Sequence, residues 1–285
     1  KNLRTKKKGV MNIKSLIKRT LSGIIFFVVM VLCSLYQWTF LLSVLFVSTV
    51  IFCEYFNLSI EKTQYKVEKL LALLSLNLQL VILFLSRKSI LPDELILLSF
   101  LPIIVILIRS LYREENKALS HIFYPFVYIA LPFASAIMLT VNQLGEFDYT
   151  IYLYLFFIIW SNDVGAYVFG MTFGQKNGHK LFPSVSPKKS WEGVIGGAFV
   201  ALLITLFFRY IHWIELPLLH SLILSLLIII FSTYGDLVES KLKRAYGVKD
   251  SGNIMPGHGG LLDRFDGALF AIPIALIYLT LFALI

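Results

Sequence analysis

Charge is scarce in this chain. Only 15% of its 285 residues are Asp, Glu, Lys or Arg, 58% are apolar, and the mean hydropathy is +0.78. So little charge excludes an ordinary soluble domain. Acids are scarcer than bases, 17 against 26, which leaves a formal net charge of +9. Two cysteines, Cys33 and Cys53, exclude a disulfide framework. Cys33 falls near the outer end of the first apolar segment and Cys53 near the inner end of the second, so they are not expected to pair and read as small apolar packing residues. Alternating apolarity is missing as well. The run "FLLSVLFVSTVIF" has no period of two, and this excludes a transmembrane β-barrel. Internal repeats are not evident.

What the chain does have is long apolar runs. Windows of about 19 residues pick out nine segments, near 20–37, 39–56, 70–86, 93–112, 122–141, 150–170, 192–213, 216–235 and 265–285. In lipid such segments must be helical, because the bilayer cannot satisfy exposed backbone donors and acceptors. The predicted fold class is therefore an all-α, polytopic integral membrane protein of about nine transmembrane helices. The first segment has the basic start and apolar core of a signal peptide, but no small-x-small cleavage site follows, so a retained helix is expected.

Residues 1–19 carry eight basic residues and no acid. With this tail in the cytoplasm and the sides alternating, 23 of the 26 Lys and Arg fall on cytoplasmic segments, and only Arg87, Lys88 and Arg209 fall outside. That asymmetry predicts a cytoplasmic N-terminus. It also accounts for the positive charge without a nucleic-acid partner, and anionic headgroups favour the same arrangement. Three regions result: a basic cytoplasmic tail, 1–19; an N-terminal transmembrane scaffold, 20–149, with short loops; and a catalytic transmembrane region, 150–285, with its polar groups on the cytoplasmic side.

Three polar islands mark that last region. The first is "WSNDVGAYVFG", where Asn162 and Asp163 interrupt an apolar segment. A charged side chain deep in a bilayer costs about 2.5–3.5 kcal/mol on insertion scales, so it needs a partner or a wet cavity. Asp163, Ala166, Tyr167 and Gly170 share one helix face. A polar pair that merely packs two helices is the alternative.

The second is "FPSVSPKKSWEGVIGG", residues 182–197. Ser186-Pro187 approaches a helix start, with Ser190 three residues before Gly193 and Glu192 early in the helix. Lys188 and Lys189 beside a helix N-terminus would make an anion site, although basic residues flanking a span are also what topology demands.

The third is "SKLKRAYGVKDSGNIMPGHGGLLDRFDG", residues 240–267. If the preceding helix runs past Asp236, then Asp236, Ser240, Lys243 and Gly247 lie on one face. The chain breaks at "DSGNIMPGHGG" and restarts near Leu261, with Asp263 and Asp266 in the first turn. Carboxylates converging from two helices suit a hard divalent cation such as Mg²⁺, and Gly-rich backbone leaves N–H groups open to phosphate oxygens. With lysines beside them, these are the parts that hold a triphosphate.

This third island resembles the signature of the CDP-diacylglycerol synthases, or phosphatidate cytidylyltransferases. Lys243-Arg244, Lys249-Asp250, Gly252, Pro256, His258-Gly259-Gly260, Asp263-Arg264 and Asp266 follow the family's pattern. The Ser240-to-Lys243 gap is shorter than the family's, and a Thr is commoner where Ser190 stands. "NDVGAYVFG", "SPKKSWEG" and "GDLVES" resemble the family too.

The resemblance implies transfer of a cytidylyl group from CTP to phosphatidate, giving CDP-diacylglycerol and pyrophosphate in phospholipid biosynthesis. The attack would be direct and in line, at the cytoplasmic face of a bacterial inner membrane. It implies catalytic roles for Asp236, Lys243, Asp263 and Asp266, with Asp236 and Asp263 on Mg²⁺, a second cation being left open. Ser186, Lys188, Lys189 and Glu192 would seat the nucleotide. Asn162, Asp163, Ser240, Arg244, Lys249, Asp250, His258, Gly259, Gly260 and Arg264 would line the substrates. The expected partners are CTP, phosphatidate and membrane lipids; a homodimer is left open.

Rival readings are a CTP-dependent prenol kinase or ether-lipid enzyme, a CDP-alcohol phosphotransferase and a transporter. The phosphotransferase motif, Asp-Gly-x-x-Ala-Arg, is missing. A transporter would be expected to show paired broken helices, and no such pair is evident.

Overall fold

The structure, a computed structural model, describes residues 13–59, 65–111, 117–174 and 178–285. Ten helices and one small hairpin follow in the order α1 (Ile13–Ser34), α2 (Gln37–Ser59), α3 (Lys66–Arg87), a 3₁₀ segment (Asp93–Phe100), α4 (Leu101–Ser110), α5 (Lys117–Thr140) and α6 (Thr150–Thr172). Then come β1 (Lys180–Phe182), β2 (Ser186–Ser190), α7 (Trp191–Tyr210), α8 (Leu218–Ala245), α9 (Leu262–Phe265) and α10 (Ala268–Leu281). Much of the basic asymmetry lies outside what is described: Lys62, Arg113, Lys176 and the side chains of the tail.

Among the described residues, seven helical stretches are long and apolar enough to cross a membrane: those in α2, α3, α5, α6, α7, α8 and the stretch Leu262–Leu281. The chain is therefore an all-α polytopic membrane protein, but two of the nine expected spans do not meet that measure. The fourth segment is divided. Pro102 sits in the first turn of α4, where its ring fits a helix start better than a helix interior, and the residues before it wind as a 3₁₀ segment. The first segment is described with its side chains only over Thr20–Ser34, so α1, which runs from Ile13 to Ser34, is not measured over its whole length. In the other direction, α8 continues past its apolar stretch to Ala245. That extension carries Asp236, Glu239, Ser240 and Lys243.

The C-terminal helices fix the site. Helix α6 packs most extensively on α7, and α8 on α10. Close approach of α6 and α7 depends on small residues. A Cβ on Gly165 would stand 2.9 Å from Gly197 Cα, and one on Gly197 would stand 2.6 Å from the Asn162 carbonyl. Ser190 caps α7 by accepting from Gly193 N at 3.2 Å, as its sequence position predicts. In α9, Phe265 is buried against Phe26, Phe133 and Phe156, with ring centroids 6.0, 6.0 and 5.7 Å away. One side chain thus ties the short helix to α1, α5 and α6.

Candidate active site

The polar islands meet where the C-terminal halves of α6 and α8 approach the start of α7. Helix α8 brings Lys243 inward, and its ammonium lies 2.5 Å from Glu239 and 2.6 Å from Asp263. Glu239, one helical turn before Lys243, is completely buried. A lysine is seldom buried unless paired, and here two carboxylates hold it. Asp263 is itself saturated. Its second oxygen accepts from Ser251 N at 2.9 Å, Ser251 Oγ at 3.0 Å and Gly260 N at 2.7 Å.

Both oxygens of Asp263 thus meet protein donors, which orient Lys243 and the loop, while the residue also lines the larger cavity described below. The expected face of Asp236, Ser240 and Lys243 holds in part: Ser240 Oγ donates to Asp236 at 3.2 Å, while Lys243 turns to Glu239 and Asp263.

Asp236 instead forms an ion pair with Lys189 of the hairpin. Strands β1 and β2 pair antiparallel, with Lys180 opposite Ser190. Glu192 accepts from His179 N at 2.9 Å and contacts its ring Nδ1 at 3.1 Å, binding the hairpin's base to α7.

Two cavities flank these groups. One, of about 910 Å³, is walled by aromatic residues that include Phe26, Phe27, Phe157 and Phe208, and reaches Asp163, Asp236, Asp263, Asp266, His258 and Arg264. The other, of about 580 Å³, is lined by Asn162, Asp163, Lys188, Lys189, Ser190 and Asp236, among others. Asp163, Ser232 and Asp236 line both. Asp163, Asp236 and Asp266 lie within electrostatic reach of one another. As the side chains stand, no three His, Cys, Asp or Glu groups among the described residues close on a metal position. The donor chemistry there nevertheless suits a hard cation, for it is all oxygen: the carboxylates of Asp163, Asp236 and Asp266, the Ser232 hydroxyl and, beside them, the buried Asn162 Oδ1, which has no hydrogen-bond partner.

Other expected site residues also make contacts within the scaffold or the loop. His258 Nδ1 meets Ser22 Oγ of α1 at 2.7 Å. Arg264 donates to the His258 carbonyl at 3.2 Å, and Arg244 to the Val248 carbonyl at 2.9 Å. Gly259 has a φ of +87°, and a Cβ there would stand 2.4 Å from an Asp263 oxygen. Ser186, Glu192, Ser240, Arg244, Lys249, Asp250, Gly259 and Gly260 line neither cavity.

The residues that sequence reasoning missed are Glu54, Glu239 and Ser251. Glu239 was legible as the i, i+4 partner of Lys243. Glu54 carried the same signal as Asp163, an acid inside an apolar segment, yet the N-terminal half read as plain scaffold.

Fold and site together define an integral membrane protein with paired acids and lysines around two cavities that share a wall. The particular family follows from comparison: the model of the cytidylyltransferase family matches residues 17–282, and the chain belongs to that family. A phosphatidate cytidylyltransferase of Bacillus subtilis (strain 168) is 42% identical over 157 residues, 55% of this chain and 56% of the relative. Those of Staphylococcus aureus (strain COL) and Staphylococcus haemolyticus (strain JCSC1435) are 48% and 45% identical over 122 residues, 43% of this chain and 46% of each relative. The chain's matches thus span about half the length of these curated relatives.

Proposed function

We propose that this protein transfers the cytidylyl group of CTP to phosphatidate, releasing pyrophosphate and forming CDP-diacylglycerol. The observation that carries the reading is the pair of cavities with a common wall. The basic one, with Lys188 and Lys189, suits a triphosphate. The aromatic-walled one suits acyl chains, with Arg264 and His258 at its polar end for an anionic headgroup. Substrates seated in the two meet at Asp163, Ser232 and Asp236. The relatives named for this activity support the same substrates.

The chemistry is mostly positioning and charge neutralisation. An oxygen of the phosphatidate phosphate attacks the α-phosphorus of CTP; that P–O bond forms as the bond to the pyrophosphate oxygen breaks. The nucleophile is already anionic, so no strong general base is required. Lys188 and Lys189 offset charge on the triphosphate, and Lys243, aimed by Glu239 and Asp263, sets the potential of the acidic end. Asp236 and Asp266, with Asp163, would hold a divalent cation such as Mg²⁺, which when bound would neutralise phosphoryl charge.

The site would face the cytoplasm of a bacterial inner membrane, the N-terminus lying on the same side and the first and fourth apolar segments completing nine spans. The basic asymmetry supports this orientation. A cytoplasm-only reporter fused after Ile285 is expected to be silent, and activity there would refute the nine-span count. To test the reaction, labelled CTP is offered with phosphatidate, diacylglycerol or a prenol as acceptor. Label is expected in lipid with phosphatidate alone, and transfer to the prenol instead would overturn the proposal.

A further inference from the structure

The half of the chain that reads as scaffold also reaches the 251–262 loop through α2. Glu54, near the end of α2, is buried, 6% exposed. Its carboxylate accepts from Leu261 N at 3.1 Å on one oxygen, and from Leu262 N at 2.8 Å and Ser251 Oγ at 3.2 Å on the other. These donors lie about 200 residues further along the chain. Two of them are the backbone N–H groups that open α9, which no helical carbonyl satisfies. Ser251 is shared: its backbone N–H donates to Asp263, its hydroxyl, with a single proton, lies between Asp263 and Glu54, and Asp263 holds Lys243. The chain of contacts therefore runs from Glu54 through Ser251 to Asp263, Lys243 and Glu239. Two glycines of the same loop are shaped around Glu54. A Cβ on Gly252 would stand 2.5 Å from a Glu54 oxygen, with all three of its nearest atoms belonging to Glu54, and one on Gly260 would stand 2.4 Å from the other oxygen.

We infer that Glu54 is a positioning residue for the reaction: its carboxylate clamps the 251–262 loop and so fixes where Asp263 holds Lys243. A carboxylate suits this place because it offers an acceptor oxygen to each of two adjacent N–H groups, whereas an amide would turn a donor toward one of them. Helix α2 holds the clamp still. Phe52, Tyr55 and Phe56 around Glu54 are buried, and Phe52 and Phe56 stack at 6.2 Å. Leaving the loop's N–H groups unpaired would let it shift by the ångström or so that positioning does not tolerate. The inference rests on the proposed cytidylyl transfer for its kinetic readout only.

The test uses the full-length protein in detergent, with two measurements on Glu54→Gln. Hydrogen–deuterium exchange of peptides spanning Ser251 to Asp266 is expected to speed up at least tenfold, with peptides from α3 and α5 unchanged. The kcat for CTP and phosphatidate is expected to fall at least 30-fold while the KM for CTP stays within threefold, because Lys188 and Lys189 are untouched. Unchanged exchange, or kcat within threefold of the parent, would overturn the inference. The exchange result stands even if the parent does not use these substrates, in which case the activity reading alone fails. Should Glu54→Gln not fold, the glycine contact gives a second arm. Gly252→Ala, whose methyl would press on the Glu54 carboxylate, is expected to speed exchange of the loop at least tenfold and to lower kcat at least tenfold. Parental exchange or parental turnover in Gly252→Ala would overturn the inference.

Discussion

Lys189 of the hairpin and Asp236 of α8 form an ion pair on the wall that the two cavities share. The pair links the hairpin to the acidic cluster, and in the proposed reaction Lys189 would exchange Asp236 for a phosphate oxygen of CTP. An ammonium bonded to a charged acceptor contributes about 1.5–3 kcal/mol. Lys189→Ala is therefore expected to raise the KM for CTP about 10- to 100-fold, with the KM for phosphatidate within threefold. Steady-state kinetics with each substrate varied would check this. Equal effects on both substrates would remove the hairpin from the nucleotide site.

Asp263 and Asp236 should fail in different ways. Asp263→Asn removes the charge that holds Lys243, and turnover is expected to drop on the order of a thousandfold, with no recovery at high Mg²⁺ or Mn²⁺. Asp236→Asn and Asp266→Asn are expected to be slowed too, but to recover in part as Mg²⁺ is raised, because a weakened hard-cation site fills at higher concentration. A Mg²⁺ titration of the three variants separates the roles, and metal rescue of Asp263→Asn would return that residue to the cation.

The close approach of α6 and α7 gives a prediction about stability. A methyl on Gly197 meets the Asn162 carbonyl, and backbone cannot swing aside. Gly197→Ala is expected to cost about 1–3 kcal/mol, read as a lower unfolding temperature in detergent, and to disturb Asn162 and Asp163 with it. A variant as stable as the parent would show that the two helices can separate freely.

The architecture was legible where physical constraint is strong. Long apolar runs must be helices in lipid, and the helix start at Ser190 and the break between Lys249 and Leu261 follow from capping and from Gly and Pro content. Lys188, Lys189, Asp163 and Asp236 stand out in the sequence because they lie beside or within apolar spans, and they line one cavity. Pairings were not legible. Carboxylates converging from two helices suggested a cation site at Asp236 and Asp263, but the contacts of Asp263 with Lys243 and the loop N–H groups come from the fold of a loop without periodicity and carried no sequence signal. Glu54 was passed over because its partners are distant in sequence and are mostly backbone N–H groups, which carry no side-chain signal.

The most direct test of the account follows the two ends of CTP. Purified protein is given phosphatidate, Mg²⁺ and CTP labelled with radioactive phosphorus at either the α or the γ position. Transfer of the cytidylyl group predicts that α-label enters the organic phase with the lipid, at one equivalent per pyrophosphate released, and that γ-label stays in the water as pyrophosphate. Appearance of γ-label in the lipid would mean that the enzyme phosphorylates its acceptor, and would contradict the account at its centre.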